Sequence, residues 1–100
     1  MFRHVVMWEL MAKANEKSRQ ENVREMKRRL EALPAVIPQI QDYEVGINAG
    51  GSSAAMDIVL ISSFRNTEEF EIYRQHPAHQ EVLEFIRSVQ SMARVVDYQQ

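Results

Sequence analysis

From Phe2 to Leu10 the chain runs without a glycine or proline, and its apolar side chains fall on both sides of an extended strand. Val5 and Met7 lie on one side, and Val6, Trp8 and Leu10 on the other, the pattern of a strand buried on both faces. A polar connection, Met11–Lys17, leads to Ser18. Ser18 and Glu21 have the spacing of a capping box, in which each side chain bonds the other residue's free backbone N–H. Beyond it Val23, Met26, Leu30 and Leu33 recur at three- and four-residue intervals, one apolar stripe on a helix. Glu25 precedes Arg29 by four residues on its charged face. Pro34 stops this helix, and Pro38 keeps the linker after it extended.

The segment Ile40–Asn48 alternates Tyr43, Val45 and Ile47 with Asp42, Glu44 and Gly46, which predicts a strand buried on one face only. Ala49–Ser53 reads as a hairpin tip. Its glycines do not form a phosphate loop, because no Gly-Lys-Ser/Thr comes after them and no helix begins there. Met56–Phe64 is a second two-faced strand, with Ile58, Leu60 and Phe64 against Val59 and Ile61. Thr67, Glu68 and Glu69 open another helix whose apolar face carries Phe70 and Tyr73. Proline is tolerated in a first turn and not in a helix interior, so Pro77 predicts a break and a fresh start. Val82, Leu83, Phe85, Ile86 and Val89 supply the buried face of that last helix, and Ala93–Tyr98 closes the chain as a strand.

The predicted order is therefore β-α-β-β-α-β, an α+β chain of the ferredoxin-like type with helices on one face of an antiparallel sheet. In the usual 4-1-3-2 strand order of that fold the first and third strands are central, and these are the two that read as apolar on both faces. One sheet face is then left bare. Pairing two such faces in a homodimer is the economical way to cover a patch too large for a monomer.

Composition narrows the function without naming it. One hundred residues predict a single domain, residues 1–100, and the 45% hydrophobic and 26% charged fractions are those of an ordinary globular chain. A net charge of −2 gives no electrostatic reason to expect nucleic acid or an anionic membrane as partner. With no cysteine, disulfides, thiol catalysis and thiolate zinc sites are excluded. The N-terminus has no signal-peptide layout, and no apolar run approaches the ~20 residues of a membrane helix, so the cytoplasm is the expected compartment.

The opening HVVMWEL, the strand DIVLISSF, the block YRQHPAHQEV and the terminal VVDY resemble the stress-responsive α/β-barrel (Dabb) domain family over nearly the whole chain. Tyr73-x-x-His76-Pro77-Ala78-His79 is the most specific piece. The resemblance implies ferredoxin-like protomers that pair their sheets into a dimeric α+β barrel. It implies no single activity: some plant members are stress-induced and very stable, many bacterial members have no assigned activity, and one plant member is a polyketide cyclase. In that cyclase a histidine matching His79 is the general base and a tyrosine matching Tyr73 orients the substrate. Its second active-site histidine falls near Ile58 here, and its helix tyrosine near Met26, so this chain lacks two of the polar groups of that pocket.

The candidate catalytic residues are His79, Tyr73 and Asp97. His79 is expected in a helix first turn, where the dipole disfavours imidazolium and keeps a neutral base; the alternative is a histidine that packs or caps at the helix break. Tyr73 has the chemistry to polarise a carbonyl, or is a core aromatic with a backbone partner. His4 and Asp97 should be neighbours in the sheet, and the simpler reading is a hydrogen bond fastening the first strand to the last; otherwise Asp97 orients a catalytic imidazole. The expected pocket lining is His4, Trp8, Met26, Leu30, Ile58 and Phe64, although all but His4 read more simply as core. His76 and His79 make an H-x-x-H pair without a third ligand, so no metal is expected, nor any cofactor. No serine stands in a nucleophile motif. Three readings remain: a dimer binding a small, partly apolar molecule between helices and sheet; a cofactor-free proton-transfer enzyme, cyclase-like or a lyase or isomerase, with His79 as base; and a structural stress-stability dimer. Small dimeric monooxygenases of the same architecture are a fourth, by fold analogy alone.

Overall fold

The computed structural model describes residues 1–100. Strand β1 (Phe2–Leu10) leads through a two-rung hairpin, β2 (Lys13–Ala14) and β3 (Lys17–Ser18), into helix α1 (Arg19–Glu31). After a 3₁₀ turn at Leu33–Ala35 come β4 (Asp42–Ile47) and β5 (Ile58–Phe64), then α2 (Thr67–Gln75), α3 (Pro77–Val89) and β6 (Gln90–Gln99). The large sheet has the order β4-β5-β1-β6, antiparallel throughout. This is the ferredoxin-like α+β arrangement, with β1 and β5 in the centre.

Local signals explain most element ends. Ser18 Oγ accepts from the Glu21 N–H, and a Glu21 carboxylate oxygen accepts from the Ser18 N–H, so the capping box is complete. Pro77 opens α3 as its first residue. Helix α2 opens at Thr67 as expected, and Asn66 caps it: its side-chain oxygen accepts from the Glu69 N–H at 2.8 Å. His76 closes α2 and caps α3, its Nδ1 accepting from the Ala78 N–H at 3.0 Å. The connection Met11–Lys17 is more ordered than its polarity predicts. Asn15 and Glu16 take φ of 54° and 63°, the left-handed pair of a type I′ turn, which tightens the segment into a hairpin. Asn22 on α1 donates to the Ala14 carbonyl and Asn15 to Ser88 Oγ, holding the strained turn against both helices. The final strand begins at Gln90, three residues earlier than predicted, because β6 pairs with β1 along almost its whole length.

The core lies between the helices and one sheet face. Val6, Trp8 and Leu10 from β1, Val45 from β4, and Ile58 and Leu60 from β5 are buried there against Val23, Met26 and Leu30 of α1. The other face carries Val5 and Met7, Val59 and Ile61, and Met92, Val96 and Tyr98, side by side by strand register. Met7 is 42% exposed and Val96 61%. Fully covering an aliphatic side chain of this size stabilises by about 1.5–3 kcal/mol, so this face holds several kcal/mol of unused burial. No helix of the chain is long and apolar enough to cross a membrane.

Candidate functional site

Two periodicities converge on one cavity. Alternation along β1 turns His4, Val6 and Trp8 to the helix side, and β6 adds Ala93 and Val95 next to them. On α3, His79, Leu83 and Ile86 recur at intervals of four and three, one face of a helix, and Gln90, the residue that caps its C-terminus and opens β6, continues the row four residues on. Between these rows lies a cavity of about 270 Å³, backed by Leu30, Leu60, Phe70 and Tyr73 and flanked by Arg74 and Arg87. At the ~30 Å³ each water occupies in the liquid, it has room for a molecule of single-ring size.

His79 enters the cavity from the first turn of α3 and is 9% exposed. Its Nδ1–H donates to the Arg74 carbonyl at 3.0 Å, since a carbonyl can only accept. The neutral ring therefore carries its lone pair on Nε2. That atom has no partner within the chain, yet it is not sealed from solvent. The pKa is lowered from the ordinary 6.5 chiefly by burial; the Arg74 carbonyl opposes this, and the charges of His4, Arg74 and Arg87 add to it. The expected direction holds, with desolvation as its main cause.

His4 faces the same cavity from the sheet. Register puts it opposite Asp97, and the Asp97 carboxylate accepts from its Nδ1–H at 2.5 Å. The His4 ring packs on Phe70 with centroids 4.8 Å apart. Asp97 thus stands behind an imidazole of the cavity, and that imidazole is His4; His79 is oriented by a backbone carbonyl instead.

Tyr73 is fully buried, its ring 4.3 Å from the His79 ring between centroids. Its hydroxyl is engaged by the Tyr43 hydroxyl of β4 at 2.7 Å. Burial raises both phenols, Tyr73 to about 12. Tyr43 does not line the cavity, so Tyr73 offers the cavity its ring, with its hydroxyl committed to the core. Expected lining residues divide in the same way. His4, Trp8 and Leu30 stand on the cavity wall, whereas Met26, Ile58 and Phe64 do not. Met26 and Phe64 are fully buried in the packed core, and Ile58 lies near the β4–β5 hairpin, beside a separate apolar hollow of about 360 Å³ that opens near Met7 and Val59. The H-x-x-H pair is divided too, since His76 Nδ1 is occupied by its capping bond.

Leu83, Ile86, Gln90, Arg74 and Arg87 were not among the expected site residues. The first three were readable from the helical spacing that begins at His79. The arginines had no such signal, because a charge near a helix end reads as a solvated one.

The stress responsive A/B barrel domain family matches this chain over residues 2–100. A dimeric protein of unknown function and ferredoxin-like fold from Bacteroides fragilis is 27% identical, with 99% of this chain and 95% of that one aligned at a TM-score of 0.83. The hydroxynitrile lyase from Passiflora edulis is 17% identical over 97% of this chain and 90% of its own, at a TM-score of 0.79. An antibiotic biosynthesis monooxygenase is 14% identical over 100% and 98%, at 0.77, a likeness of fold alone. No curated protein matches the chain in sequence.

Proposed function

The chain belongs to the stress responsive A/B barrel domain family, and on that premise we propose that it is a homodimer that binds a small, partly apolar molecule between its helices and its sheet. The observation that carries this reading is the cavity of about 270 Å³ that reaches His79 from beside the buried apolar core. A purely structural dimer has no use for that space, since filling it would add contacts and stability. The dimeric ferredoxin-like protein from Bacteroides fragilis supports the homodimer, as does the apolar sheet face.

A second reading is favoured by one detail of the same site. A histidine whose Nδ1–H is held by a carbonyl, whose Nε2 is free and whose pKa is lowered is fitted to take a proton from a bound molecule. In this reading His79 is the base of a cofactor-free proton transfer, His4 with Asp97 behind it is the second group able to carry a proton, and the Tyr73 ring braces His79.

Trp8 is the only tryptophan and stands on the cavity wall, so it reports occupancy directly. Titration with p-cresol is expected to change Trp8 fluorescence saturably, and Leu83→Trp, which fills the cavity, to abolish ligand-induced shifts at His79 in NMR spectra. An unaltered Trp8 signal and unshifted His79 resonances up to millimolar p-cresol would leave the structural dimer as the better reading. For the proton-transfer reading, His79→Ala should cost ~10²–10⁴-fold in rate.

A further inference from the structure

The cavity wall is uneven in charge. Its charged or titratable side chains are Arg74, Arg87, His4, His79 and Tyr73, the last with its hydroxyl committed to Tyr43, and no carboxylate lies among them. That is unlike the chain as a whole, which has 14 acidic residues to 12 Lys and Arg. Two acids are bonded to the basic groups of the wall. Glu71, which does not line the cavity, pairs with Arg74 at 2.9 Å, and the Asp97 carboxylate accepts from His4 Nδ1–H. Arg87 has neither an ion pair nor a side-chain hydrogen bond within the chain.

Both arginines sit in the last turn of their helices, where the helix dipole favours a cation. That accounts for the residue type, but not for two of them flanking one apolar hollow. Next to a wall of Trp8, Phe70, Leu83 and Ile86 a charge–charge contact is less screened than at an open surface, and a guanidinium fork fits a carboxylate with two parallel hydrogen bonds.

We propose that the molecule bound here is a small organic acid, its ring or short hydrocarbon body in the apolar depth and its carboxylate at the mouth, held by Arg87 and Arg74. This rests on the ligand-binding reading and adds the substrate class. The free Nε2 atoms of His79 and His4 then face the body of the ligand next to its carboxylate.

Phenylacetate and its neutral counterpart phenylacetamide, titrated against the intact protein with Trp8 fluorescence as readout, test this. Phenylacetate is expected to bind on the order of tenfold or more tighter, because a hydrogen bond to a charged group contributes more than a neutral one. The preference should shrink as salt rises, fall in Arg87→Gln, vanish in Arg74→Gln/Arg87→Gln, and return in Arg87→Lys. The His79 imidazole, followed by NMR, should take up protons more readily with phenylacetate bound, and not with phenylacetamide. Equal binding of acid and amide, or a preference that survives the double substitution, would overturn the acid assignment and leave the cavity reading standing. If neither compound perturbs Trp8 or His79, the cavity reading falls, and this inference with it.

Discussion

The hydroxyls of Tyr73 and Tyr43 meet at 2.7 Å, across the gap between α2 and β4. Each is the other's only side-chain hydrogen-bond partner, so removing one strands the other in the core. Tyr43→Phe is expected to lower stability by about 1–3 kcal/mol, the usual cost of leaving a buried polar group unpaired. Replacing both with Phe should cost less than the single change. Urea unfolding of the two variants checks this. Were the Tyr73 hydroxyl instead a substrate donor, Tyr43→Phe would be nearly neutral in stability and Tyr73→Phe would act on binding.

His79 ties stability to pH in one window. Its folded pKa lies below the ordinary 6.5, so between the two values the unfolded chain binds more protons than the folded one. The contribution of His79 to stability is therefore fully present above about pH 6.5 and declines as pH falls from there towards the folded pKa, with no further change below it. His79→Gln should flatten that part of the stability–pH curve. Imidazole NMR titration should find the His79 midpoint below that of an unfolded reference peptide; a raised midpoint together with marked destabilisation on mutation would mean a charged, paired histidine and would end the general-base reading.

The bare sheet face predicts self-association. Light scattering at low micromolar concentration should give twice the chain mass. A charge placed in the middle of the face, as in Ile61→Lys, should unfold the protein rather than release a soluble monomer, because Val5, Met7 and Val59 around it would lose their cover together. A folded, monodisperse monomer of the natural sequence would refute the homodimer.

His76 acts as a cap, which separates it from metal binding. His76→Ala should cost about 0.5–2 kcal/mol, as loss of an N-cap does, and His76→Asn should recover most of it. Chelator should leave the melting temperature of the natural protein unchanged, and a drop reversed by zinc would contradict this.

Much of the fold was legible in periodicity and punctuation. Strands with apolar residues on both faces had to be central, Ser18 with Glu21 had to begin a helix, and Pro77 had to restart one, because each arises from constraints that act within a few residues. The bare face was legible as well, since two helical regions cannot cover both sides of a four-stranded sheet. His79 was found as a site candidate because its position after Pro77 and its resemblance to the Dabb pattern are both local facts.

What only the tertiary structure decided is which side chains share a space. Met26, Ile58 and Phe64 have the same apolar character as Trp8 and Leu30, and nothing along the chain separates a core position from a cavity wall. The difference is whether a neighbour from another element fills the adjoining volume. Tyr73 found its hydroxyl partner in Tyr43, thirty residues away, through helix placement, whereas the His4–Asp97 bond was already the simpler expectation from strand order. Arg74 and Arg87 look like solvated helix-end charges until α2, α3 and β6 close around one hollow. Periodicity assigns a residue to a face of its own element; the packing of that element on the others decides whether the face meets a side chain, another subunit or a ligand.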